Sequence, residues 1–186
     1  MLIDEAQREL RSVYISGSVG QLVSGLIWAV SASLTTWVSA QAGILVMLIA
    51  GFFIYPLTQL VLRALGGPTS LPANNPMRQL AIEVALVGPL MLPLIGAATL
   101  HKEAWFYPAF MIAIGAHYLP FSFLYGMRQF IFLAVLMFVP GLLIGLYAPG
   151  LSTLGAWFTA GLLIIFGLMH WRIHAAQNPQ RLRPAS

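Results

Sequence analysis

Long apolar runs alternate with short polar breaks along the whole chain. A barrel strand would alternate apolar and polar positions; these runs are continuously apolar over about 20 residues, the length of a helix that crosses a membrane. The pattern predicts six spans, over 14–38, 42–65, 77–100, 105–125, 130–147 and 154–171. A short amphipathic segment, 1–12, precedes them and a polar tail, 172–186, follows. Between the second and third spans the loop reads GGPTSLPANNP, whose Gly and Pro mark irregular backbone. No linker divides the chain, so one domain is expected: an all-α polytopic bundle of six transmembrane helices.

Composition agrees with the pattern. The chain is 59% hydrophobic and only 8% charged, with a mean hydropathy of +0.85. Soluble domains carry about a quarter charged residues, so a soluble fold is excluded. Absence of cysteine removes disulfides and thiolate chemistry. The formal charge of +4 is spread over span boundaries rather than gathered in one patch, so no nucleic-acid partner is expected. Asp4, Glu5 and Glu9 near the start, with no cleavage site after a short apolar core, argue against a removable signal peptide.

Charge placement predicts orientation. With both termini cytoplasmic, Arg8, Arg11, Arg63, Arg78, Arg128, Arg172, Arg181 and Arg183 lie inside and only Lys102 outside. Trp37, Trp105, Phe106, Tyr107, Tyr147 and Trp157 then form the outer aromatic belt. The lipid bilayer is the first expected partner, and a multi-pass protein of the inner (plasma) membrane is the expected setting.

Chemistry in such a chain is sought where polarity is expensive. Glu83 is the one charged group at membrane depth, about 10 Å along its helix from Pro76, with Gln79 one turn below on the same face. His117, beside Tyr118, comes to a similar depth on the next span when counted from its inner end. Counted from the His101-Lys102-Glu103 turn, Glu83 lies about 7 Å deeper than His117. Tyr55 and Gln59 add polarity in the inner half of the second span. Asn74-Asn75-Pro76 suits a helix cap, which explains one asparagine, and both Asn74 and Asn75 stand at the mouth of an opening. Together Glu83, His117, Tyr118, Gln79, Asn74, Asn75, Tyr55 and Gln59 outline an inner-facing polar cavity. Each also has a plain structural reading: the acid can pair with an arginine, and His117 can satisfy a carbonyl freed by Pro120.

Other polar and small residues carry less. His170 and His174 stand four apart, but no third ligand is near and HExxH is absent, so they read as side chains snorkelling at the interface. Neither a metal nor a cofactor is expected, nor is any catalytic residue, because the chain has no nucleophile elbow or phosphate loop. Ser16, Gly20 and Ser24 form a small-residue face for close helix packing, within the bundle or in a homo-oligomer.

The runs NNPMRQLAIEVALVGPLMLP and FYPAFMIAIGAHYLPFSFLYGMRQF resemble a family of small bacterial six-helix membrane proteins with no assigned activity. That resemblance implies a bacterial inner membrane and transfers no chemistry. The expected function is binding or transport of a small polar solute or protons. The alternative is an accessory or assembly protein whose polar groups only hold the bundle together.

Overall fold

The computed structural model describes residues 1–177; residues 178–186 of the expected tail, with Arg181 and Arg183, lie outside them. Every regular element among the described residues is helical: α1 Ile3–Val13, α2 Ser18–Trp37, α3 Ala40–Ala64, α4 Met77–Leu90, α5 Leu92–His101, α6 Phe106–Tyr125, α7 Gln129–Tyr147 and α8 Ser152–Gln177. Short 3-10 turns precede α2, α6 and α8. Among the described residues six segments are long and apolar enough to cross a membrane: Ile15–Trp37, Ala40–Ala64, Met77–His101, Glu103–Tyr125, Gln129–Tyr147 and Pro149–Gln177. The last runs well beyond the expected Trp171, because nothing in Arg172–Gln177 breaks a helix.

The third span is interrupted at Met91, flanked by Pro89 and Pro93. Proline removes a backbone donor and crowds the preceding turn, so two helices replace one. Pro56, Pro120 and Pro140 stay inside continuous helices.

Packing is uneven. α2 lies between α3 and α8, while α6 packs on α7 and carries α4–α5 on another side. α3 and α4 are not a packed pair among the described residues. Accordingly 56% of the first span's apolar window is buried, against 6% for the second and 11% for the third. Glycines set the close approaches. A Cβ on Gly25 would come 2.9 Å from Ile164 Cγ1, and one on Gly167 would come 2.8 Å from Leu22 Cγ, so α2 and α8 meet almost backbone to backbone. Gly20 faces Thr58 of α3, and Ser16 and Ser24 are buried. The small-residue face of α2 is thus used within the chain.

α1 is amphipathic and folds under the arginine-bearing end of the bundle with Ala6, Gln7, Leu10 and Val13 buried. The turn that folds it back has three consecutive positive φ values, at Ile15, Ser16 and Gly17 (48°, 54° and 78°). Such values are costly for a β-branched residue and free for glycine.

Candidate functional site

Glu83 is exposed on the outer side of α4. The buried face of that span carries Met77, Val84 and Ile95, and Glu83 precedes Val84 by one residue, about 100° around the helix. Its recorded partner is Gln79, whose Nε2 donates to Glu83 Oε1 at 2.9 Å. Side chains tilt toward a helix's N-terminus, so the carboxylate leans down onto the amide below.

Asn75, 3% exposed, is wholly engaged. Its Oδ1 accepts the Met77 N–H at 2.8 Å, capping α4, while Nδ2 donates to Glu9 Oε2 at 2.6 Å and to the Ala6 carbonyl at 3.2 Å. Asn74 is exposed. Tyr55 is exposed on α3; Gln59 is half-buried, with an enclosed Nε2 that has no protein partner. His117 is half-buried too, its ring 4.9 Å from Phe121 and 5.8 Å from Tyr118, and its Nδ1 is enclosed without a protein partner. Tyr118 is buried and stacks on Phe130 at 6.1 Å.

Two depressions open at the arginine-bearing end. One, of about 440 Å³, lies among Arg11, Arg128 and Gln177; the other, of about 130 Å³, lies among Ser12, Leu62, Trp171 and His174. Neither is lined by Glu83, His117 or any other residue expected at the site. Of the pair expected at its centre, the acid is exposed on α4 and the imidazole is half-buried on α6.

The best-enclosed polar group lies elsewhere, in the seam of α2 and α8. His170 is 0% exposed and Gln21 is 2% exposed. His170 Nδ1 meets Gln21 Oε1 at 2.8 Å. With the amide oxygen as acceptor, Nδ1 carries the proton and Nε2 presents a bare lone pair. Phe130 lies against the imidazole at 4.6 Å and Phe166 at 6.1 Å. His170 Nε2, Gln21 Nε2 and the hydroxyls of Ser16, Ser18 and Thr159 are all buried without a protein partner. Each such atom costs about 1–3 kcal/mol, so this concentration on α2, α8 and the turn before α2 is informative.

The reading of His170 as a snorkelling interfacial group is therefore overturned. Its position near the end of the sixth span hid it, because α8 continues seven residues further. A signal was present: Gln21 precedes Gly25 by four residues and His170 follows Gly167 by three, so each polar group shares a helix face with the glycine that allows close approach.

Two further polar networks are satisfied. Near the far end, the Tyr107 hydroxyl meets Ser31 Oγ at 2.8 Å and Thr35 Oγ1 at 2.5 Å, and Ser31 donates to the Gly43 carbonyl at 2.9 Å. At the arginine-bearing end, Gln7 donates to the Phe123 carbonyl and Arg11 to that of Tyr125. These are carbonyls of the last turn of α6, the end of a helix that attracts cations, and that of Phe123 also accepts the Gly126 N–H at 3.1 Å. Burial, then the neighbouring Arg8, holds the Arg11 guanidinium below its usual range. Burial, then Tyr55, pushes the Tyr14 phenol up, opposed by the Leu71 backbone and Arg78. Tyr14 thus stands within electrostatic reach of α3 and α4. Among the described residues no three His, Asp or Glu side chains cluster to hold a metal.

Residues 3–173 match the model of DUF7010, a family of unknown function, and the chain belongs to that family. No curated protein and no solved structure matches it.

Proposed function

We propose that this membrane protein binds protons or a small polar solute from its arginine-bearing side, at the Gln21–His170 pair rather than around Glu83 and His117. The observation that carries the reading is a fully enclosed imidazole within a membrane span, oriented through Nδ1 and open at Nε2. Ionisable groups at such positions are costly and mark proton or solute paths by default. Histidine is also the side chain whose charge changes most readily near neutral pH.

The surroundings suit that role. His174 lies one turn nearer the helix end and lines the 130 Å³ depression with Ser12 and Trp171, which gives an approach from the arginine-bearing side. Gln21 Nε2 offers a donor and His170 Nε2 an acceptor, the complement of a water-like or hydroxyl-bearing group. On the other flank Phe130 and Tyr118 form an aromatic wall between His170 and His117.

Nitrogen-15 NMR of the four histidines in bilayer-reconstituted protein tests this directly. The signal lost in His170→Gln is expected to move between about pH 4 and pH 8, and to shift in Gln21→Leu. A His170 signal that stays fixed across that range would overturn the proposal in favour of a purely structural pair.

A further inference from the structure

We infer that the exposed edge of α4–α5 is the face through which two copies of this chain associate in the membrane, joined by reciprocal Gln79–Glu83 hydrogen bonds. An apolar helix face toward lipid needs no partner, since lipid tails solvate it. A carboxylate and an amide on that face do, because hydrocarbon offers them no hydrogen bonds. The pair begins only about 3–9 Å inside the span, counting 1.5 Å per residue from Met77. Its polar atoms remain on the outside of the bundle there, and both residues are exposed.

The pair is self-complementary. Gln79 Nε2 has two N–H groups and gives one to its own Glu83 Oε1. A two-fold axis along the membrane normal sets two α4 helices side by side, with both pairs at the same depth. The second N–H of each glutamine then faces Oε2 of the other copy's glutamate, so each carboxylate is bracketed by two amides. Above the pair, Leu86, Leu90, Leu94 and Ala97 continue the same exposed edge at steps of three and four. That is the spacing of a helix–helix seam. The third span has this face free because only 11% of its apolar window is buried within the chain.

Because the chain has no cysteine, a single Leu86→Cys reports the contact cleanly. In dilute bilayers it is expected to oxidise to a covalent dimer, whereas Val135→Cys on the exposed face of α7 is not. Photobleaching of labelled protein is expected to give two-step traces. Glu83→Leu, which removes both acceptor oxygens, weakens the dimer about tenfold, while Glu83→Gln, which leaves one acceptor and sets a donor in place of the other, weakens it less. One-step traces at every protein-to-lipid ratio overturn the inference. So does equal cross-linking at Val135, or a Glu83→Leu dimer as tight as the parent; either result leaves this edge facing lipid.

Discussion

Gln21–His170 and Gln79–Glu83 are the same chemical device in two settings. Each joins a carboxamide to an ionisable side chain, at 2.8 Å and 2.9 Å. The first bridges two spans far apart in sequence and is sealed from surroundings; the second links neighbouring turns of one helix and is exposed. A polar pair between helices constrains how those helices pack. One along a helix constrains nothing beyond itself and remains available to something outside. The α2–α8 seam is thus the fixed part of the molecule, and the third span is its open edge.

The glycines give the widest separation between these regions. Gly25→Ala sets a Cβ 2.9 Å from Ile164 Cγ1 and 3.2 Å from the Ile164 backbone nitrogen. Backbone cannot step aside, so about 2 kcal/mol of stability should be lost. Gly88→Ala meets nothing within 4 Å and should gain about 0.8 kcal/mol from helix propensity. Thermal unfolding in one detergent compares the two; equal shifts would erase the distinction between seam and edge.

Next in size is the buried pair. Gln21→Leu strands His170 Nδ1, and His170→Leu strands the amide, each at a cost of about 2 kcal/mol. The double variant should cost clearly less than the sum, because no polar atom of the pair remains to be stranded. A strictly additive double variant would mean that the 2.8 Å contact does not couple the helices.

A third effect distinguishes adjacent asparagines. Asn75→Ala removes the cap on α4 and the tie to Glu9 and Ala6 of α1, for about 1.5 kcal/mol. Asn74→Ala, at an exposed site, should change nothing measurable in the same unfolding assay. Proteolysis of α1 should rise only in the first variant.

How much of this could be read from the chain follows from what each feature depends on. Apolar run length and glycine- and proline-rich breaks gave the number of spans, six, because membrane thickness sets that length, but not every end: α8 runs on to Gln177. The Asn75 cap and the Gln79–Glu83 pairing were legible as well, being local in sequence. The side on which Glu83 lies was not. It depends on α4 packing against α6 and leaving α3 alone, and a uniformly apolar helix carries almost no record of which neighbour it chooses. Burial of His170 was hidden for a related reason, since an imidazole near the expected end of a span resembles an anchor until α8 is seen to extend to Gln177.

The smallest effect is the one that best isolates the open edge. Within a single chain Glu83 contributes a hydrogen bond to Gln79 on an exposed helix surface, a kind of contact worth only about 0.2–0.5 kcal/mol. Glu83→Leu forfeits that bond and adds an apolar side chain where lipid is the surroundings, so the two changes offset. In detergent dilute enough to keep chains apart, its unfolding midpoint should therefore match the parent to within about 0.5 kcal/mol. The same substitution in a bilayer should reduce association about tenfold. A residue that matters to a pair of molecules and not to one of them is what an exposed membrane carboxylate means physically. A large loss of stability in the isolated chain would instead place Glu83 among the groups that hold the bundle together, alongside Gln21 and His170.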